Sequence, residues 1–406
     1  MIKRDLYLNK LKPLVNDPLI KVITGMRRVG KSTLLLLLQE KLKLAGVSDK
    51  QFISINFELM DFEALKTPKS LHDFIGFQIV NNEKYYLFLD EIQEVSGFEK
   101  VVNSINLKYD VDIYITGSNS KILSGELATH LTGRYFSLEL YPLSFLEIIS
   151  HQKNQKSSRM KTGLEQEFID YVKYGGLPAI QRFRNNEDLI KGYLEDIYSS
   201  ILLNDIVARY SIRDVDLLKR FIKYLLHNIG QIFSAQTIAN FMKSESRGLS
   251  RETLYNYLDA CKNAFLIYGT QRYDIKGKQV LKTREKYYTN DLGIRGLFYN
   301  NESDIGQALE NIVFLHLLRS GYRVNVGEFG DQEVDFIAEK GSDKLYFQVT
   351  YLLANSEIIE REFTVLEKIQ DNYPKYVLSM DKIKIERKGI KHLNIIDFLL
   401  DQEWLK

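Results

Sequence analysis

One octapeptide constrains this chain more than any other feature. Gly25-Met26-Arg27-Arg28-Val29-Gly30-Lys31-Ser32 fits the pattern G-x-x-x-x-G-K-[ST]. It follows an apolar β-rich run, Lys21–Thr24, and opens a helical pattern running from Ser32 to about Leu44. A phosphate-binding loop requires that strand-then-helix context. The two glycines let the backbone bend until consecutive N–H groups face one phosphate cluster, and the helix N-terminus adds partial positive charge. Lys31 is then placed to bridge the β- and γ-phosphates of ATP, and the Ser32 hydroxyl to ligate Mg²⁺. The candidate ATP-binding set is Gly25, Arg28, Gly30, Lys31, Ser32 and Thr33.

Three more short β-rich runs follow, Gln51–Phe57, Tyr85–Leu89 and Val111–Thr116, each separated by helix-length sequence. Such spacing predicts parallel strands with crossover helices on both faces. The second of these runs ends in Asp90-Glu91, which puts two carboxylates at the carboxyl edge of the sheet. Asp90 can hold the Mg²⁺ shell and Glu91 can polarise an attacking water. An apolar run ending in Asp-Glu is common in proteins at large; after this loop the functional reading prevails. The next run leads into Gly117-Ser118-Asn119-Ser120, where Asn119 or Ser118 could orient that water. A plain Ser/Asn turn is the alternative. In Thr132-Gly133-Arg134, Arg134 is a candidate for stabilising transition-state charge, in cis or from a neighbouring subunit. An ordinary surface arginine fits the same residues.

At 406 residues the chain is long enough for two or three domains of about 150 residues each. Its 45% hydrophobic and 27% charged residues match globular chains. The single cysteine, Cys261, excludes a disulfide framework and a Cys-based zinc site. No secretory signal and no membrane-spanning helix are expected, and a cytoplasmic location follows. With 55 basic and 53 acidic residues, any basic surface has to be local. The expected fold class is α/β. A P-loop parallel sheet with helices on both faces (1–150) precedes a helical lid and winged-helix domain (163–288). A small α/β restriction-endonuclease-like domain (300–406) closes the chain. The polar stretch His151–Thr162 marks the first boundary.

Several segments together resemble a known family. Ile23–Leu35, "LFLDEIQ" at Leu87–Gln93, "TGSNS" at Thr116–Ser120 and "LTGRYFSLELYPLSF" at Leu131–Phe145 are similar to the AAA-type ATPases of bacteria and archaea that carry a C-terminal DUF4143 domain. "YGGLP" at Tyr174–Pro178 and "EVDF" at Glu333–Phe336 also match. The resemblance implies an ATPase core related to archaeal and STAND ATPases. It further implies an arginine-finger position for Arg134 and a lid turn, Gly176-Leu177-Pro178, whose Pro178 packs near the adenine. The residues themselves say only that this turn is tight and rigid.

Beyond the core, a period near 3.6 predicts a helix over Asp214–Asn228, and Ser234 and Ser250 read as N-caps of helices Ala235–Met242 and Arg251–Ala264. Two β-rich runs around Lys276-Gly277-Lys278 complete a winged-helix order. Arg247, Arg251, Tyr255 and Asn256, with Lys276, Lys278 and Lys282 in the wing, would supply DNA contacts. Packing or contact with a protein partner or second subunit is the alternative. The last third has the helix–strand order of a PD-(D/E)xK nuclease, with Glu310 and Asp335 in the first two places. Its third place reads Gln348-Val349-Thr350, with neither acid nor lysine, and Glu333 is the one residue that could restore metal binding. A degenerate nuclease fold is therefore expected. The leading expectation is Mg²⁺-dependent ATP hydrolysis that rearranges the C-terminal domains; the alternative is a nucleotide-switched DNA- or protein-binding module.

Overall fold

The computed structural model describes residues 1–123, 133–154, 163–234, 237–238 and 250–405. These divide into two compact units, Met1–Pro142 with Asn263–Phe265, and Leu143–Lys262 with Leu266–Lys406.

In the first unit five strands form one parallel sheet: β1 (Ile20–Thr24), β2 (Phe52–Asn56), β3 (Tyr85–Asp90), β4 (Val111–Gly117) and β5 (Tyr135–Glu139). Their order is β2-β3-β4-β1-β5. Every residue of β1, β3 and β4 is buried. That is why these strands read in the sequence as unbroken apolar runs and not as alternation. The helices Lys31–Leu44, Pro68–Gln78 and Phe98–Lys108 cover the sheet. Leu71, Ile75, Val101, Val102 and Ile105 pack with Ile53, Leu87 and Ile113 in one cluster. β5 is an addition to the four expected strands; of its five residues Leu138 alone is buried, and its apolar signal is short. Because all five strands run the same way, the carboxyl ends of β1, β3 and β4 lie side by side. Open parallel sheets bind ligands at that edge.

The second unit begins with the helices Phe145–Asn154 and Leu164–Tyr174, so the first domain closes at Pro142, before the expected boundary at 150. The expected helices appear as Val215–His227 and Arg251–Asn263. The one expected at Ala235–Met242, with Arg247 after it, lies largely outside the described residues. An eight-stranded sheet follows: β6 (Ile267–Asp274), β7 (Gln279–Thr289), β8 (Arg323–Phe329), β9 (Gln332–Lys340), β10 (Asp343–Val349), β11 (Lys375–Ser379), β12 (Glu386–Arg387) and β13 (Ile390–Asn394). Its order is β12-β13-β11-β10-β9-β8-β6-β7. The hairpin read as a wing is thus the edge of the last domain's sheet, because Arg272–Asp274 of β6 pair in parallel with Val326–Glu328 of β8. The expected break between 288 and 300 runs through this one sheet. The helix Ile305–Arg319, apolar nearly all round, is buried along most of its length.

The "YGGLP" segment has a concrete cause. Asp291, fully buried, accepts hydrogen bonds from Gly176 N (2.8 Å), Gly293 N (2.9 Å) and Ile294 N (3.3 Å). A Cβ on Gly175 would lie 2.2 Å from Asp291 Oδ1, and one on Gly176 2.3 Å from the Leu143 carbonyl oxygen. Both glycines are demanded by close approach. Burial pushes the Asp291 carboxyl up to about 6 despite those three amide donors.

Candidate nucleotide site

The loop after β1 owes its shape to three residues with positive φ: Gly25 at 148°, Arg28 at 67° and Gly30 at 99°. A Cβ on Gly25 would sit 2.3 Å from the Leu140 carbonyl oxygen, so only glycine fits there. Arg28 bears a left-handed conformation without being glycine, a strain of about 1–2 kcal/mol. Gly30 caps the helix Lys31–Leu44. The first-turn amides of that helix have no intrahelical acceptor by geometry, and its dipole favours an anion there.

Lys31 is buried, and its Nζ donates to the carbonyl oxygens of Gly25 (3.1 Å) and Met26 (3.4 Å). It also forms an ion pair with Glu91 Oε1 at 3.1 Å. Asp90 and Glu91 come from the end of β3, directly beside β4. Thr116 at the tip of β4 locks them in place. Its Oγ1 donates to Asp90 Oδ1 (2.5 Å) and accepts from Glu91 N (2.9 Å). Glu91 has φ of 55°, and its second oxygen accepts a 2.5 Å hydrogen bond from Gln93 Nε2. Burial raises the Asp90 carboxyl above its ordinary value, against hydrogen bonds from Ser32 and Thr116. Burial acts the same way on Glu91, but the Lys31 charge and the Gln93 and Lys31 hydrogen bonds outweigh it, so Glu91 sits below the ordinary range. Two adjacent carboxylates are therefore pushed in opposite directions, the arrangement that separates a ligand role from a base role.

Ser32 and Asp90 share a hydrogen bond. A hydroxyl and a carboxylate that close offer the hard oxygen donors that suit Mg²⁺. Among the described residues no group of three His, Cys, Asp or Glu side chains could hold a metal ion. A cation here would therefore take the rest of its shell from phosphate and water, as Mg²⁺ characteristically does.

Other expected residues divide. Asn119 lies at the β4 tip, almost fully buried; its Oδ1 accepts from Lys121 N (2.8 Å), while its Nδ2 is buried with no hydrogen-bond partner among the described residues. Ser118 is fully buried beside it. Arg28 and Thr33 stand on the loop and the first helical turn. Arg134 is not brought to the group. It precedes β5, where its carbonyl accepts from Ile20 N at the start of β1, and its side chain bonds Asn103 Oδ1 at 2.9 Å. The loop begins at the other end of β1, after Thr24, so Arg134 stands at the opposite edge of the sheet. Pro178 belongs to the second unit, in the Gly176–Pro178 turn. Thr116 and Gln93 are the contacts the sequence reading missed. Both stand inside conspicuous stretches, "TGSNS" and "LFLDEIQ", but neither residue type announces a role.

The second unit holds a separate buried cluster. Lys286 of β7 donates from Nζ to Glu333 Oε1 of β9 (2.5 Å) and to Glu310 Oε1 of the buried helix (3.3 Å). Tyr288 OH donates to the same Glu310 oxygen at 2.5 Å. Asp335 Oδ2 accepts from Val349 N (2.8 Å), and Gln348 bridges Asp335 N and Glu362 Oε2. Burial would lower the Lys286 ammonium, but Glu310, Glu333 and Asp335 together raise it. Burial drives the Glu310 and Asp335 carboxyls up. Glu310, Asp335 and Gln348 thus lie in one cluster with Lys286, which stands on the strand expected as part of the wing.

Comparison with known proteins places these features. Residues 17–149 match the AAA domain family, and residues 165–304 match a domain of unknown function, DUF8612, a different domain from the DUF4143 that the sequence resemblance had named for residues 300–406. An uncharacterized protein of Haemophilus influenzae is 39% identical over 404 residues, spanning 98% of this chain and 99% of that protein. An uncharacterized protein of Methanocaldococcus jannaschii is 32% identical over 408 residues, spanning 98% and 88%. Among solved structures, the Aeropyrum pernix Orc1 protein in complex with DNA aligns with 75% of this chain and 93% of its own, at 12% identity and TM-score 0.35. AMPPCP-bound DnaA from Aquifex aeolicus aligns with 64% and 89%, at 18% identity and TM-score 0.31. Among the described residues no helix is long and apolar enough to cross a membrane.

Proposed function

This chain belongs to the family of its Haemophilus and Methanocaldococcus relatives, built on an AAA-type P-loop domain, and from that premise we propose that it is an Mg²⁺-dependent ATPase whose turnover rearranges the C-terminal domains. The observation that carries the reading is the placement of Glu91. It is an ionised carboxylate at the strand edge, paired with the loop lysine at 3.1 Å. Lys31 exchanges that pairing for the phosphates, the first-turn amides hold the phosphate oxygens, and Ser32 and Asp90 hold the cation. Mg²⁺ neutralises charge on the phosphate oxygens during in-line transfer. Glu91, relieved of Lys31, accepts a proton from water, and the Asn119 Nδ2 donor faces the developing charge. The deciding variant is Glu91→Gln. It keeps ATP binding and loses phosphate release, because Glu91 acts on water in the transition state and not on bound ATP. A Glu91→Gln protein that turns over at the parental rate overturns the assignment.

For the second region, the order of the helices Val215–His227 and Arg251–Asn263 before the β6–β7 hairpin supports a winged-helix ancestry. The meeting of Glu310, Asp335 and Gln348 supports a degenerate nuclease-like core. Arg251 is exposed at the start of its helix, and DNA is the partner this surface would meet. Counterion release would make such binding fall steeply with salt. A gel shift unaltered in the Arg247→Ala/Arg251→Ala chain favours instead a protein-binding module switched by nucleotide.

A further inference from the structure

Gln93 stands in the 3₁₀ turn Ile92–Glu94, immediately after the Asp90-Glu91 pair. Its amide is used on one side alone. Nε2 donates to Glu91 Oε2 at 2.5 Å, whereas Oε1 is buried and has no hydrogen-bond partner among the described residues. That oxygen lies over the tip of β4: a Cβ on Gly117 would come within 2.8 Å of it, so glycine at 117 is what lets the amide rest there. Two residues on, Asn119 Nδ2 is likewise buried and without a partner among the described residues. One orphan acceptor and one orphan donor thus flank the same strand tip, beside the carboxylate that faces Lys31. Leaving a buried polar atom unpaired costs about 1–3 kcal/mol, and native proteins rarely keep such atoms without a use.

A hydrolytic water has two protons to place. Glu91 accepts one; the other needs an acceptor on the same side of the phosphate, or the water is free to tumble. We propose that Gln93 is the positioning residue for this water, its Nε2 fixing Glu91 and its Oε1 receiving the water's second O–H. The inference rests on the ATPase reading of the site. The water oxygen forms the bond to the γ-phosphorus, the bridging bond to the β-phosphate breaks, and ADP leaves. The released proton passes to Glu91, while Gln93 exchanges no proton. A carboxamide is the side chain that can do this, since it donates to the carboxylate with one atom and accepts from water with the other. A glutamate here would repel Glu91, and an apolar residue would leave both the carboxylate and the water unheld.

The test compares the full-length wild-type chain with Gln93→Met, which keeps the length and loses both hydrogen bonds, and Gln93→Asn, which is too short to span both. Each is measured for fluorescent-ATP binding in Mg²⁺, steady-state and single-turnover hydrolysis, and melting temperature, with Glu91→Gln alongside. The expected result is a fall in kcat of about 10- to 100-fold in Gln93→Met, with ATP affinity within about twofold of wild type. Gln93→Asn falls in the same direction. A wild-type kcat in Gln93→Met overturns the proposal. So does a joint loss of binding and melting temperature in both variants, which would make Gln93 a structural brace of the turn. A wild-type chain that binds ATP without turnover, indistinguishable from Glu91→Gln, overturns the ATPase reading and this inference with it. That pattern is distinct from failure at Gln93 alone.

Discussion

Each unit buries one lysine against glutamate, and the two lysines are held in different ways. Lys31 has one carboxylate partner and two carbonyl oxygens, on a loop bent by positive φ at Gly25, Arg28 and Gly30. Lys286 sits in mid-strand, bonded to Glu310 and Glu333 with Asp335 adding a third negative charge. The first lysine can be drawn from its partner by an anion, because helix amides stand ready to share that anion. The second is outnumbered by its own carboxylates, so an anion arriving there would meet repulsion. Similar side chains can therefore await an anion in one unit and stay held in a carboxylate cluster in the other, and the backbone around each decides which.

The comparison breaks most visibly at the first lysine. Lys31→Ala removes the buried loop cation that the ATPase reading assigns to the phosphates, and ATP affinity should fall by about a thousandfold, roughly 4 kcal/mol. Calorimetric titration with Mg-ATP reads this directly, and unaltered affinity would sink the phosphate role.

Lys286→Met should do the reverse, leaving ATP affinity alone and destabilising the second unit by about 3 kcal/mol. Removing the ammonium leaves Glu333 beside Glu310 and Asp335, and burial holds the carboxyls of the last two above their ordinary values. Carboxyls raised above their unfolded values favour the folded state when protonated, so the loss should be small near pH 4 and grow as the pH rises towards neutrality. Adding Glu310→Gln to the variant should restore part of the stability. Denaturant melts that show no difference between Lys286→Met and the parent would mean that Lys286 is not the counterion.

How much of this could be read from the residues depends on how far apart the partners lie in sequence. Gly25, Gly30, Lys31 and Ser32 act within eight positions, and Asp90-Glu91 end a strand whose burial on both faces is written in its composition. Those were legible. Lys286 was not, since its partners lie 24 and 47 residues on, and a lysine in a β-rich hairpin looks like any exposed strand residue. The orientation of Arg134 was also hidden. A motif shows that an arginine precedes a strand, but only the parallel pairing of β5 with β1 shows which sheet edge it occupies. Gly175 and Gly176 marked a tight turn, yet the reason for them, Asp291, stands 115 residues beyond Gly176.

Asp291 sharpens the contrast at lower amplitude, because it is a buried carboxylate held by amides and not by a lysine. Its pKa is raised from 3.8 to about 6. Below the lower value it is protonated in both states and its contribution is intact; as the pH rises through 6 that contribution is lost. Relative to Asp291→Asn, the wild type should lose about 2 kcal/mol between pH 4 and pH 7. The variant itself should be about 1 kcal/mol less stable at pH 4, where its amide replaces an oxygen that accepted from Gly176. Melts of the two proteins that run parallel across this range would show that Asp291 does not titrate there.

The smallest expected effect is none at all, and it concerns the second lysine. Metal-dependent cleavage of a phosphodiester needs a divalent cation held by carboxylates and a nucleophilic water placed beside it. Here Glu310 and Glu333 already bond the Lys286 ammonium, and Tyr288 occupies the Glu310 oxygen that a metal would use. Gln348, where an acid would complete the set, spends its two amide atoms on Asp335 N and Glu362. A cation entering would have to displace the Lys286 ammonium from both Glu310 and Glu333, leaving a buried lysine without its carboxylate partners. The full-length protein incubated with supercoiled, linear or branched DNA in Mg²⁺ or Mn²⁺ should therefore leave it intact, and Asp335→Ala should look the same. Nicking by the wild type that vanishes in Asp335→Ala would show instead that Lys286 does yield to a metal. The second lysine would then be as exchangeable as the first.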